Sequence, residues 1–212
     1  MTDQHQHWER TYRAHPEMYG EQPSAAAVYA AQVFGAADAR SVLELGAGHG
    51  RDAIYLAQQG FHVRATDFSA IGLQQLRDRA GTLGVADRVD TLEHDVRQPI
   101  PLRYNSVDAV FAHMLLCMNL STVEILDLVA EIRRVLRPGG VFVYTVRNTD
   151  DAHYNSGIAR DDDIFEHAGF AVHFFSTALV EAVARGWELR ERHAFEEGEL
   201  PRRLWRITQS LR

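Results

Sequence analysis

The segment Glu44-Leu45-Gly46-Ala47-Gly48-His49-Gly50-Arg51-Asp52 sets three alternating glycines between carboxylates. It lies where the β-branched and apolar run 41–45 gives way to a helical pattern that continues through Ala57. Glycines at a strand-to-helix turn let the backbone bend tightly and approach a ligand, and the start of the helix offers N–H groups with no helical partner. A plain tight connection would use the same residues, so the turn gains meaning from its neighbours. Asp67 follows Gly46 by about twenty residues, at the end of a second strand-like run, where a carboxylate can accept both hydroxyls of a ribose. Glu44 precedes the first glycine by two residues. A carboxylate there suits a ligand with cationic groups and would repel a pyrophosphate.

The spacing is G-x-G-x-G, whereas dinucleotide binders carry G-x-G-x-x-G. S-adenosylmethionine has no phosphate; it presents a ribose, an adenine, a sulfonium and an α-amino acid. An acid at each of two strand ends matches that set better than a dinucleotide. A nucleotide-dependent oxidoreductase is thereby disfavoured. A non-catalytic S-adenosylmethionine-binding protein stays open, because such motifs report binding before turnover.

These residues need a rigid frame. The sequence is helical in character up to about Phe34, with Ser24 as N-cap of an Ala-rich stretch to Val33. Strands are expected at 41–45, 61–66, 89–93, 107–112 and 141–146. Ser69 begins a helix to about Ala80, and Ser121 with Glu124 forms a capping box for a helix that closes on Arg137-Pro138-Gly139-Gly140. Strands joined through helices require right-handed crossovers and a parallel sheet, so the fold class is α/β, doubly wound and Rossmann-like, with helices on both faces. Beyond residue 150 the pattern gives a helix at 177–185, then strands at 187–195 and 204–208 around a turn at Gly198 and Pro201. They read as a closing antiparallel pair.

With these landmarks in place, the chain resembles the class I S-adenosylmethionine-dependent methyltransferases from about Ser41 to Arg147. The first motif of that family corresponds to Val42–Gly50, which implies that Glu44, Gly46, Ala47, Gly48 and Gly50 hold the methionine end of the cofactor. Asp67 corresponds to its ribose acid, with Phe68 and Ser69 beside it, and Asp95 with Val96 to its adenine site. The strand-four motif corresponds to Asp108–His113, and Leu136–Gly140 to the late Leu-Arg-Pro-Gly-Gly landmark. The resemblance implies a mostly parallel seven-stranded sheet with a reversed final strand, S-adenosylmethionine as cofactor and S-adenosylhomocysteine as product. Gly50-Arg51-Asp52 with Leu56-Ala57 and Gly60 is similar to the tellurite-resistance and thiopurine-type members, which act on small soft nucleophiles. Trp8, Tyr12, Met18-Tyr19-Gly20 and Pro23-Ser24 resemble a cap segment, which makes residues 1–35 a helical cap on a methyltransferase domain at 36–212. Phe111-Ala112-His113-Met114-Leu115 lacks the Asp/Asn-Pro-Pro-aromatic signature of enzymes that methylate base amines. Leu116-Cys117 lacks the Pro-Cys of C5-cytosine enzymes.

Methyl transfer from a sulfonium is an in-line displacement, in which alignment in a dry pocket dominates. His113, at the carboxyl end of the fourth strand, is the best-placed polar side chain and the candidate catalytic residue; a histidine bonded to backbone is the alternative. Arg51, His153 and Tyr154 are candidate substrate contacts, the alternatives being a solvated arginine at a helix N-terminus and, for the other two, a surface loop; Tyr19 is a candidate cofactor contact from the cap, or else packs the first helix. Phe170, Phe174 and Phe175 fit ordinary core better than a substrate pocket. His5, His7 and His15 sit on a terminus too frayed for a metal, and Asp161-Asp162-Asp163 reads as a loop or helix start, so no metal is expected.

The net charge of -7 over 212 residues opposes association with phosphates, and Arg202, Arg203 and Arg206 follow Glu196, Glu197 and Glu199 as two arms of an exposed hairpin. Nucleic acid is an unexpected partner, a small molecule the expected one, and oligomeric state is not encoded. No apolar run reaches membrane-spanning length. A single cysteine, Cys117, gives no internal disulfide and suits a reducing cytoplasm.

Overall fold

In the computed structural model, which describes residues 3–16, 18, 20–167, 169–198 and 202–212, the central strands alternate their side chains between two packed faces. Two helices come first, α1 (Asp3–Ala14) and α2 (Ala25–Ala36). The alternating part follows: β1 (Ser41–Leu45), α3 (Arg51–Gln58), β2 (His62–Asp67), α4 (Ala70–Thr82), β3 (Val89–Glu93), β4 (Val107–His113), α5 (Thr122–Val135) and β5 (Leu136–Arg147). Strands β6 (Ile158–Ala159), β7 (Ile164–His167) and β8 (Phe170–His173) precede α6 (Thr177–Val183), β9 (Trp187–Glu197) and β10 (Arg202–Leu211).

The main sheet has seven strands in the order β3-β2-β1-β4-β5-β10-β9. Strands β1 to β5 pair in parallel, and β10 enters antiparallel to both β5 and β9, so the final strand is the reversed one. Ala109, Phe111, Val141 and Val143 pack on one face with Ala27, Ala30 and Phe34 of α2. Val110, Ala112, Phe142 and Tyr144 pack on the other with Ile125, Val129 and Ile132 of α5. Central parallel strands covered on both faces must read as continuous apolar runs, and these do.

Each helix start is fixed by the side chain that the sequence offers. Ser24, Ser69 and Ser121 accept the N–H of Ala27, Gly72 and Glu124, and Glu124 returns the bond in a full capping box. Each such cap contributes about 1 kcal/mol. Ser24 also donates its N–H and hydroxyl to Asp52, at 2.7 and 2.8 Å, which ties the entry of α2 to the first turn of α3.

Three features depart from expectation. The strand β5 begins at Leu136, which pairs with Val107, and Pro138-Gly139-Gly140 lies within it as a bulge, with Gly139 at a φ of +79°. At Gly140 a Cβ would lie 2.8 Å from the carbonyl oxygen of Asp108, so only glycine passes there. Strands β6, β7 and β8 form a small separate antiparallel sheet that the sequence pattern did not announce. The helix α2, expected in the cap, packs on the main sheet through Ala27, Ala30 and Phe34.

Candidate active site

The carboxyl ends of β1, β2 and β4 open onto a cavity of about 430 Å³ that α1 covers. Gln4, Trp8 and Tyr12 recur every four residues, so one face of α1 points inward. Four contacts hold the helix down. The Gln4 amide donates to the Ala171 carbonyl at 3.4 Å, and His5 lies 3.1 Å from the Phe68 carbonyl. The Gln75 amide donates to the Tyr12 carbonyl at 2.8 Å, and Ile71 N–H donates to Glu9 at 3.3 Å.

Gly46 and Gly48 line the cavity with φ of +71° and +56°, a backbone region that side-chain-bearing residues rarely adopt. Space also demands glycine. A Cβ on Gly46 would lie 2.9 Å from Leu115, and one on Gly48 would collide with the Tyr12 hydroxyl. Gly48→Ala is therefore expected to cost about 1–3 kcal/mol in strain and to displace Tyr12 from the turn. Thermal unfolding and calorimetric titration with S-adenosylhomocysteine measure both effects. Wild-type values in the two would mean that the turn tolerates a side chain.

Two buried acids flank the turn. Glu44 is 3% exposed, and its Oε2 is buried without a hydrogen-bond partner. Burial pushes its carboxyl well above the usual range, helped by the neighbouring charges of Asp52 and Asp67 and opposed by Arg51. A buried carboxyl oxygen without a partner, on a residue that lines the cavity, is complementary to a donating or cationic group, such as an α-ammonium. Asp67 accepts N–H bonds from Gly48 and Ser69, both at 2.8 Å, and keeps lone pairs for further donors. Burial pushes its carboxyl up to about 6, with those N–H groups pulling the other way. Asp95 is fixed by the Arg97 N–H at 3.0 Å and by its guanidinium at 3.2 Å, and Asp95, Val96 and Phe68 line the same cavity. This donor and acceptor set fits S-adenosylmethionine: Glu44 and the glycine turn for the amino acid, Asp67 for the ribose, Asp95 and Val96 for the adenine.

The other expected residues divide. His113 and Arg51 line the cavity. Nδ1 of His113 lies 2.8 Å from Thr145 Oγ1, and its Nε2 lies 3.5 Å from Glu197. Gly50 and Ser69 are absent from the lining. Gly50 packs against Leu76, while Ser69 caps α4 and donates to Asp67, so both shape the turn from behind. His153 and Tyr154 do not line the cavity either: the buried Arg147–Asp151 pair draws their loop aside, with His153 N–H donating to Asp151 and Tyr154 bonding Asp163. Tyr19 lies outside the described residues.

Several lining residues were missed or misread, Arg97, Met114, Met118 and Asn119 among them. Glu197, read from sequence as part of a solvated turn, reaches the cavity from the end of β9, and Arg202 from the start of β10. Only the hairpin register, with Glu197 opposite Arg202, turns them inward, and no local motif encodes it. His94, whose Nε2 is buried without a partner, follows β3 directly, and its place beside Asp95 was the available signal. Phe170, read as core, lines the cavity with its ring 5.7 Å from that of Trp8, whereas Phe174 and Phe175 are buried as expected. Cys117 is buried, and its thiol is pushed up to about 11 by that burial. Among the described residues no group of histidines, cysteines or acids could hold a metal, and no helix is long and apolar enough to cross a membrane.

Residues 42–140 match the methyltransferase domain family. The seven-stranded sheet in which that segment lies agrees with the match. Among curated proteins the chain is 36% identical over 102 residues to phosphoethanolamine N-methyltransferase 1 of Triticum aestivum, a match covering 48% of this chain and 20% of that one. It is 35% identical over 107 residues to the malonyl-(acyl-carrier protein) O-methyltransferase of Salmonella typhimurium, covering 50% and 38%. The chain thus aligns with well under two thirds of either relative's length. Among solved structures, the CcbJ methyltransferase of Streptomyces caelestis superposes with a TM-score of 0.78 at 24% identity, covering all of both chains. The 1,6-didemethyltoxoflavin-N1-methyltransferase of Burkholderia thailandensis, solved with S-adenosylhomocysteine bound, gives 0.74 at 19% identity, covering 98% of this chain and 87% of that one.

Proposed function

We propose that the protein is an S-adenosylmethionine-dependent methyltransferase that transfers a methyl group to a small molecule by in-line displacement. The observation that carries this reading is the buried pair Glu44 and Asp67 on either side of the glycine turn, both lining the cavity, with one oxygen of Glu44 unpartnered. When bound, the cofactor supplies an electrophilic methyl group. The chain's part is to hold it through Glu44, the Gly46–Gly48 turn, Asp67, Phe68, Asp95 and Val96, to align the acceptor, and to exclude water beneath α1. In this reading residues 1–35 form the helical cap segment on a methyltransferase domain at 36–212, with Tyr19 a cofactor contact from the cap. His113 and Arg51 face the acceptor. Cavity size and a net charge of -7 favour a small molecule over nucleic acid, and a buried free thiol suits the cytoplasm.

Calorimetric titration with S-adenosylmethionine, S-adenosylhomocysteine and NAD in parallel tests the reading. Binding of the first two in the micromolar range without NAD is the expected result. Binding of NAD alone, or of none by folded protein, would overturn it.

A further inference from the structure

Several charged groups in the cavity are already committed. Arg97 is bound to Asp95 and Glu124, Asp52 to Ser24, and Arg147 to Asp151. Glu197 differs. It pairs with His113 Nε2 at 3.5 Å and with Arg51 Nη2 at 3.8 Å, both longer than an ordinary hydrogen bond, so its oxygens keep accepting capacity. A carboxylate only accepts, so the complementary ligand group is a donor. The same cavity is lined by the rings of Trp8 and Phe170 and the thioethers of Met114 and Met118, surfaces that suit a flat apolar ring.

Resting on the methyl-transfer reading, we propose that the acceptor is a planar ring bearing an O–H or N–H, that Glu197 takes its proton, and that His113 is the positioning residue for Glu197. The acceptor's lone pair forms the new C–O or C–N bond while the C–S bond of S-adenosylmethionine breaks, sulfur keeping its electron pair. The acceptor's proton moves to the Glu197 carboxylate, then to solvent through the 29%-exposed side chain. A weak base suffices, since a hydroxyl becomes strongly acidic as it is alkylated.

The hydrogen-bond network assigns the histidine's role. Thr145 Oγ1 accepts the Met114 N–H at 3.0 Å and has its hydroxyl hydrogen free to donate to Nδ1 of His113 at 2.8 Å, the tautomer that the proposed role requires. Nε2 then carries the hydrogen that faces Glu197. His113 is the first cause holding the Glu197 carboxyl below the usual range against burial, with Arg51 of α3 and Arg202 of β10 adding to it. The resemblance to enzymes of soft nucleophiles points instead to a thiol or heavier chalcogen, which needs no base, so the two alternatives separate by experiment.

Methyl transfer to phenol, 4-nitrophenol and 2-mercaptoethanol is measured at about pH 8, where 4-nitrophenol is ionised and phenol is not. Glu197→Gln is expected to lower kcat/KM for phenol ~100-fold and for 4-nitrophenol by less than about fivefold, because only the neutral acceptor needs a base. His113→Phe is expected to move the acid limb of the phenol profile to higher pH, since Glu197 loses the partner that keeps its carboxyl low. Equal losses on both phenols, turnover of the thiol alone, turnover of none of the three, or an unmoved limb would overturn the assignment. Titration of each protein with S-adenosylhomocysteine separates the levels. No binding by the wild type strikes the methyl-transfer reading itself, whereas normal binding with any of those results strikes only the role of Glu197 and His113.

Discussion

Asp67→Ala is expected to weaken S-adenosylhomocysteine binding by about 2 kcal/mol or more, roughly thirtyfold, because charge-assisted hydrogen bonds to ribose hydroxyls are lost in a buried site. The substitution also strips the Gly48 and Ser69 N–H groups of their acceptor, which loosens the turn that holds the amino-acid end. The acidity of Asp67 adds a signature that loss of fold would not mimic. Its carboxyl titrates at about 6 in the folded chain against an ordinary value of 3.8. The folded free protein therefore holds more protons than the unfolded chain across that window, and this group favours the free fold as pH falls from about 6 toward 4. A ligand that prefers the carboxylate binds more weakly over the same window, by up to about tenfold per pH unit. The rise in melting temperature produced by S-adenosylhomocysteine should thus be smaller at about pH 5 than at about pH 7.5, and Asp67→Ala should flatten the difference. Unchanged affinity in the variant would place the ribose elsewhere.

Asp151→Ala is expected to give the largest loss of stability, about 3–5 kcal/mol, or roughly 10 °C in melting temperature for a chain of this size. Asp151 is buried with Arg147 and accepts the N–H groups of His153 and Arg203, both at 2.9 Å. Truncation leaves a buried guanidinium and two backbone donors without their acceptor, while Arg147 keeps its stack on Phe174 at 5.1 Å and its pair with His153. Hydrogen bonds from Arg147, His153 and Arg203 hold the Asp151 carboxyl low against the opposing effect of burial. With the folded value depressed, this stabilisation is present above the ordinary value of 3.8 and is lost as pH falls through the folded one. Denaturant unfolding at neutral pH checks the magnitude; a loss under about 1 kcal/mol would mean that the pair is solvated and breaks cheaply.

What the sequence disclosed depended on whether the signal was local. The serine caps were legible because their partners lie three residues away, and Val89–Glu93 was read with its observed limits because β-branched residues and turn signals bound it. Glu44 was legible because a glycine turn follows its strand, and Asp67 because it closes the next strand about twenty residues on. Glu197 was not, since a charged residue near a hairpin tip looks the same whether it faces water or a cavity. His153 and Tyr154 were placed in the cavity on their position after β5; Asp151, two residues earlier, captures Arg147 and turns the loop away, a contact that no periodicity reports. The three-stranded sheet escaped because its strands span two to four residues, too few to show alternation.

Cys117 has a practical consequence. A lone thiol, fully enclosed and reluctant to ionise, leaves the surface free of competing nucleophiles. A cysteine introduced at exposed Met18 would then take a maleimide dye selectively, with no thiol to remove first. Fluorescence from that dye would report, in real time and without knowledge of the acceptor, whether the covering helix lifts when nucleoside enters.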